Sequence, residues 1–200
     1  MSDAREHILL VSLKLFLQKS FKEVTMKEIV EQTGLSKGAF YHYFSSKEQV
    51  FEEVIKFFFT AFIVEDYDSL PHDSLYVFYS EMLKEIERKS KRAIVRLGGG
   101  TEFSANYYFI LFDAIKMLPA FKEELYQHQK EELRAWTKMV QIARNSGEIA
   151  SEMTNEQIAE LFIYISDGVG INLIMEEKLD RLKKKLSTLW DGLYTMLKTK

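Results

Sequence analysis

Residues 36–44 read Ser-Lys-Gly-Ala-Phe-Tyr-His-Tyr-Phe, a run that mixes small, cationic and aromatic side chains within about two and a half helical turns. Phe40 and Phe44 stand four apart and mark one buried face of a short helix. The other face then carries Lys37, Gly38, Ala39, Tyr41, His42 and Tyr43. Two small residues let a backbone approach closely, while an ammonium, two phenols and an imidazole can meet phosphates or base edges, so the mixture suits a DNA major groove. Thr25, Lys27, Ser36 and Lys47, near the starts of three successive helical segments, add hydroxyls, ammonium groups and a positive helix end suited to backbone phosphates. Such contacts set register rather than sequence. Thr25 and Ser36 also serve as helix caps with or without DNA, and Tyr41 and His42 equally suit helix packing and solvent.

Enzyme chemistry finds less support. With no cysteine there is no disulfide, thiolate metal site or cysteine nucleophile. Gly98-Gly99-Gly100 precedes Thr-Glu-Phe rather than the Gly-Lys-Ser/Thr of a phosphate loop, and neither a nucleophile elbow nor a paired-His zinc motif occurs. Glu124 and His128, one turn apart, read as a surface pair. No catalytic residue, metal site or cofactor is expected, and an enzyme using a C-terminal pocket stands only as an alternative, beside a helical protein-interaction module. Candidates for lining such a pocket are Phe58, Phe62, Phe78, Tyr79, Met82, Tyr108, Phe112, Asp113, Trp136 and Tyr164, although aromatic residues at helical spacing equally make ordinary core. Asp113 and Asp167 interrupt apolar helices, so each needs solvent, an Arg or a cationic ligand.

The elements that must position these residues are helices. Nine Gly and two Pro in 200 residues, with 46% hydrophobic and 28% charged content, describe a folded chain poor in turns. Ile8, Leu9, Ser12, Leu15 and Phe16 share a helical face. Capping boxes are expected at Thr25 with Glu28 and at Ser45 with Glu48, Gly34 ends the second helix, and Ser36 caps a helix running to about Phe44. A long helix then carries Phe51, Val54, Ile55, Phe58, Phe59 and Phe62. Later helices start near Leu75, near residue 105, at Pro119 and at Thr154 or Asn155, with Gly147 as a stop. The helix to about Met175 is apolar on nearly every side, which predicts burial all round, with a partner subunit as the natural cover. Leu182, Leu186, Leu189, Leu193 and Met196 form a seam for an identical helix, and Phe162, Ile163 and Gly170 join Leu182, Leu186, Leu189 and Leu193 as dimer-interface candidates. The basic run Arg88 to Arg92 reads as a solvated helix end.

Charge decides little. The net charge is −3, yet residues 1–50 carry seven Lys/Arg against six acids, so charge neither supports nor excludes a nucleic-acid partner. The N-terminus lacks the pattern of a secretion signal and every apolar stretch is interrupted by a charge, so no membrane span and a cytoplasmic location are expected.

The segment Thr25 to Phe51, with the helix before it, resembles the TetR family of bacterial transcriptional regulators over about residues 8–55. The resemblance rests on Ile8-Leu9, Leu15-Phe16, Phe21, Thr25, Ile29, Gly34-Leu35-Ser36, Gly38, Phe40-Tyr41, Phe44, Lys47-Glu48 and Phe51, in register without gaps. It implies an all-α fold of about nine helices, with a three-helix DNA-binding domain over residues 1–48 and a larger ligand-binding and dimerisation domain over 49–200. It further implies a homodimer joined through the last two helices, a palindromic double-stranded DNA operator, and repression relieved by a small-molecule inducer. DNA contacts are implied at Thr25, Lys27, Lys37, Gly38, Ala39, Tyr41, His42, Tyr43 and Lys47. The chain departs from the family where Ser20 replaces the usual Gly and where Ser12 and Val30 replace small residues, so the first turn needs either a strained Ser or a different cap.

Overall fold

A computed structural model describes residues 3–60, 66–96 and 106–199, which leaves Phe62 and the Gly98–Gly100 triplet outside the described residues. Among the described residues there are nine α-helices and no strand beyond a single bridge between Ile149 and Lys198. They are α1 (Asp3–Gln18), α2 (Met26–Thr33), α3 (Lys37–Tyr41), α4 (Lys47–Phe58), α5 (Leu75–Arg96), α6 (Asn106–Met117), α7 (Pro119–Asn145), α8 (Asn155–Met175) and α9 (Leu182–Leu197). Packing sorts the chain into two compact units, one of residues 1–64 and 91–124, the other of 65–90 and 125–200.

In the first unit α1 packs on α2, α4 and α6. Its buried stripe includes Ile8, Leu9, Leu13 and Phe16. Phe16 meets the edge of Phe51 at 5.2 Å between centroids, and Phe21 lies 4.7 Å from Phe51, so one aromatic cluster joins α1, α4 and the loop between α1 and α2. Such pairs add about 0.5–1.5 kcal/mol each beyond their buried area. The turn after α1 resolves the Ser20 question without strain. The Ser20 N–H and hydroxyl both donate to the Glu23 carboxylate, at 2.8 and 2.7 Å, and among the described residues the only non-glycine with positive φ is Glu177.

The second unit closes around an aromatic core. Trp136 of α7 stacks on Phe162 of α8 at 4.9 Å, while Phe78 meets the Trp136 edge and Tyr79 lies against both Phe162 and Trp190. Polar ends are satisfied inside it: Trp190 Nε1 donates to the Phe162 carbonyl at 3.0 Å and Tyr79 donates to Asp191 at 2.8 Å. Burial and the Asp191 bond push the Tyr79 phenol well above its ordinary range. Glu148, in the turn after α7, accepts from the N–H groups of Leu75 and Tyr76 and from the Tyr194 hydroxyl, so it caps α5 from far away in sequence.

Several local expectations change in the folded chain. Thr25 accepts from the Glu28 N–H as a cap should, but the Glu28 carboxylate pairs with Lys19 instead of closing the box. The cap of α4 is Ser46 rather than Ser45, accepting from the Gln49 N–H, while the Gln49 side chain accepts from Ser45; Gln49 displaces Glu48 because the helix starts one residue later. Thr154 and Gln157 do form a complete capping box.

The helix α8 is not buried all round within the chain, since Leu161, Tyr164, Ile171 and Met175 are exposed. By length and composition alone it is also long and apolar enough to cross a membrane, because its two acids in the apolar stretch are too few to disqualify it. The α9 seam divides. Leu186 and Leu193 join Trp190 and Leu197 in this chain's own core, whereas Leu189 and Met196 face outward, because steps of four and three residues place alternate members on opposite sides of the seam's midline and only one side meets the core. Phe162 and Ile163 are likewise buried in the chain's own core, and Leu182 and Gly170 are half-buried.

Candidate nucleic-acid interface

Two short helices and the turn between them present the candidate surface. Gly34 ends α2 with φ +68°, a conformation that costs a side-chain-bearing residue about 1 kcal/mol or more, and its N–H returns to the Glu31 carbonyl. The buried Thr33 hydroxyl donates to the Val30 carbonyl at 2.7 Å and accepts from the Leu35 N–H. His7 of α1 donates through Nε2 to the Thr33 carbonyl at 3.0 Å, which fixes the end of α2 on α1. Ser36 then caps α3, accepting from the Ala39 N–H at 3.3 Å.

The second of the two helices is short. Regular α3 ends at Tyr41, and the bonds from Tyr43 and Phe44 back to the Phe40 carbonyl carry the turn to Phe44. Phe40 and Phe44 are 0 and 1% exposed, so the helix is held from beneath by two rings. On its other face Lys37, Gly38, Ala39 and His42 are exposed, Tyr41 is 50% exposed, and Tyr43 is half-buried with its ring edge against His42 at 5.3 Å. Thr25, Lys27 and Ser36 are also exposed, with the Lys27 ammonium 3.7 Å from Glu31. The structure thus gathers nine of the ten sequence-selected residues onto the exposed or half-exposed surface of α2, α3 and the turn.

Lys47 is placed differently. Its ammonium donates to the carbonyl oxygens of Phe21 and Val24, both at 2.8 Å, and sits 4.2 Å from the Phe21 ring centroid. It therefore ties the start of α4 to the loop before α2. Sequence reasoning also missed Arg5, which pairs with Glu53 of α4 and lies over the Phe44 ring at 5.7 Å, and it missed His7. Both act across 26 to 48 residues of sequence, a separation at which no local pattern signals a partner. The electrostatics of the first turn are local: the Ser20 bonds hold the Glu23 carboxyl below its ordinary range, and the Lys19 bond does the same for Glu28.

Residues 8–54 match the model of the bacterial regulatory proteins of the tetR family. Over these residues the chain matches the TetR family. It is 26% identical over 181 residues to the uncharacterized HTH-type transcriptional regulator YfiR of Bacillus subtilis, covering 89% of this chain and 85% of that protein. It is 22% identical over 192 residues, 93% of this chain and 92% of the relative, to IcaR of Staphylococcus aureus, the HTH-type negative transcriptional regulator of the biofilm operon icaADBC. The fold is that of the solved NalD of Pseudomonas aeruginosa, with a TM-score of 0.66 at 17% identity, covering 98% of this chain and 95% of that one. The match lies on a helix-turn-helix of a DNA-binding transcriptional regulator, with α2 and α3 as the two helices and Gly34 in the turn.

The sequence-selected pocket residues fall in both units. Phe78, Tyr79, Met82 and Trp136 are packed side by side in the core of the second unit, while Tyr164 of the same unit is exposed. In the first unit Phe58 is buried with its ring against Tyr107 at 5.7 Å; Tyr108 and Asp113 are half-buried and Phe112 is exposed.

Proposed function

We propose that this chain is a homodimeric repressor that binds a palindromic operator and is released from it by a small-molecule inducer. The observation that carries the reading is the division of α3, with Phe40 and Phe44 buried beneath and Lys37, Gly38, Ala39, Tyr41 and His42 exposed above. In this reading α3 lies in the major groove, Thr25, Lys27 and Ser36 hold flanking phosphates, and Lys47 offers its remaining N–H to another. Two such helices in a dimer read half-sites about 34–36 Å apart, or near a multiple of that. Repression is the output chosen because IcaR is named a negative regulator and NalD a repressor. Inducer binding in the domain beyond residue 48 favours one arrangement of α4, and operator DNA disfavours it reciprocally. No catalytic role, metal or cofactor enters this mechanism, and a DNA-bound repressor works in the cytoplasm.

The test is selection of bound fragments from the source genome, followed by titration of the selected site with Tyr41→Ala and Lys27→Ala variants. Loss of one base-reading contact should weaken binding about 5- to 150-fold at the selected site. Loss of Lys27 should weaken it on all sequences and lower the salt slope by about one. Unchanged affinity for both variants sinks the assignment of α3 and α2 to the groove.

A further inference from the structure

Arg5 stands in the first turn of α1, where the positive end of the helix dipole opposes a cation. Local physics disfavours it there, so its place is decided by contacts from elsewhere in the first unit. The guanidinium pairs with the Glu53 carboxylate of α4 and lies over the Phe44 ring, 5.7 Å from its centroid. The two side chains of the pair are 31 and 29% exposed, so water and salt screen it less than a surface pair. Glu53 also lies 3.8 Å from Lys56, which has Glu52 as its nearer partner at 2.8 Å. The carboxylate is held between two cations and gives Arg5 a fixed anchor on α4.

The ring under that guanidinium carries the reader. Phe44 is 1% exposed and its ring lies 6.2 Å from that of Phe40, which is enclosed beneath α3. The Phe44 N–H returns to the Phe40 carbonyl at 3.2 Å, so the two rings and the backbone between them form one cross-linked unit. Tyr41, His42 and Tyr43 stand on that unit, and a shift of the Phe44 ring is therefore a shift of the side chains aimed at the groove. Two residues along α1, His7 holds the Thr33 carbonyl at the end of α2. The first part of α1 thus grips the end of each helix of the pair.

We propose that Arg5 is a positioning residue for DNA reading: anchored by Glu53, its guanidinium fixes the Phe44 ring and through it the approach of Tyr41, His42 and Tyr43 to the bases. Arg5 itself touches no DNA. The inference rests on the groove reading of α3 in the preceding section and adds what holds that helix at its working angle. A guanidinium suits the task because a flat, weakly hydrated cation can lie on a ring and bond a carboxylate at once, which a compact ammonium does less well. Base contacts need α3 at one angle, whereas contacts from long cationic side chains to phosphates tolerate movement. Loss of Arg5 therefore costs specificity before it costs charge-driven binding.

The experiment titrates the full chain, with Arg5→Met, Arg5→Lys and Lys56→Gln forms, on the genome-selected operator and on an unrelated duplex at several salt concentrations. Arg5→Met should lower the ratio of the two affinities about 3- to 30-fold, the range of one cation–π contact, and leave the unrelated duplex and the salt slope unchanged. Arg5→Lys should recover part of the ratio. Lys56→Gln removes an ion pair from the same helix and should leave the ratio as it is. Arg5→Met with Glu53→Gln should lose no more than Arg5→Met alone, because the acid acts through the guanidinium. If the Met form loses its helical circular dichroism, the Lys form carries the test and its ratio must fall. An equal loss on both duplexes, or a salt slope lower by about one, makes Arg5 a general support or a phosphate contact and overturns the proposal. An unaltered chain that selects no fragment overturns the groove reading itself. An unchanged ratio in a chain that does select one overturns the role of Arg5 alone.

Discussion

The Lys47 ammonium donates to the Phe21 carbonyl oxygen at 2.8 Å while lying 4.2 Å from the centre of the Phe21 ring. One residue so supplies both a charge-assisted hydrogen bond and a cation–π contact to the loop that leads into α2, and the Val24 carbonyl takes a second bond. The first residue of α4 is thereby fixed to the support of the DNA-reading helix pair.

Replacing Lys47 by Met keeps the aliphatic stem and removes the ammonium. Two partly buried carbonyls then lose their donor, and stability should fall by about 1–3 kcal/mol, measured by urea unfolding. Operator affinity should fall as well, and Lys47→Arg should recover stability more fully than affinity if the remaining N–H reaches a phosphate. A Met variant as stable as the unaltered chain would contradict the clamp.

Ser12 stands in the buried face of α1, fully enclosed, with a hydroxyl that has no hydrogen-bond partner among the described residues. Burying a hydroxyl unpaired costs about 1–3 kcal/mol, and Ala is the better helix former. Ser12→Ala should therefore stabilise the chain by about 1–2 kcal/mol, a rise of roughly 2–8 °C in Tm for a chain of this size. A lower Tm for Ser12→Ala would show that the hydroxyl is needed.

His128 is buried on α7 with its ring stacked on Tyr67 at 6.1 Å. Burial lowers its pKa below the ordinary 6.5, against the pull of Glu131 and with some help from Lys89. Below pH 6.5 the unfolded chain takes up a proton that the folded ring refuses, so this contribution is present above that pH and is lost as pH falls through the folded value. Over that window the contribution changes by at most about 1.4 kcal/mol per pH unit. Urea unfolding at about pH 5 and pH 8 should show a smaller difference for His128→Phe than for the unaltered chain, by the linkage of one proton. Equal differences in the two chains would remove His128 as the source.

How much of this was legible in advance follows the range of the forces involved. The period of apolar residues, the caps at Thr25, Ser36 and Thr154, the Gly34 turn and the stop at Gly147 depend on residues within one turn of each other, and they stand in the folded chain as the sequence indicated. Capping boxes were harder, since the acid that could complete one found a better partner: Glu28 pairs with Lys19, nine residues away. The α9 seam misled because spacings of four and three alone do not say which of two faces each Leu occupies.

Sequence by itself determined the helices and the buried and exposed faces of α3, because these follow from local periodicity and side-chain type. Tertiary structure decided what Arg5, His7 and Lys47 do, which aromatic residues are core, and where Glu148 caps α5, because the Arg5, His7, Lys47 and Glu148 contacts join residues 23 to 73 positions apart. It also decided that α8 and α9 each bury one face and leave a second face open, a division that depends on which neighbours the folded chain brings beside them.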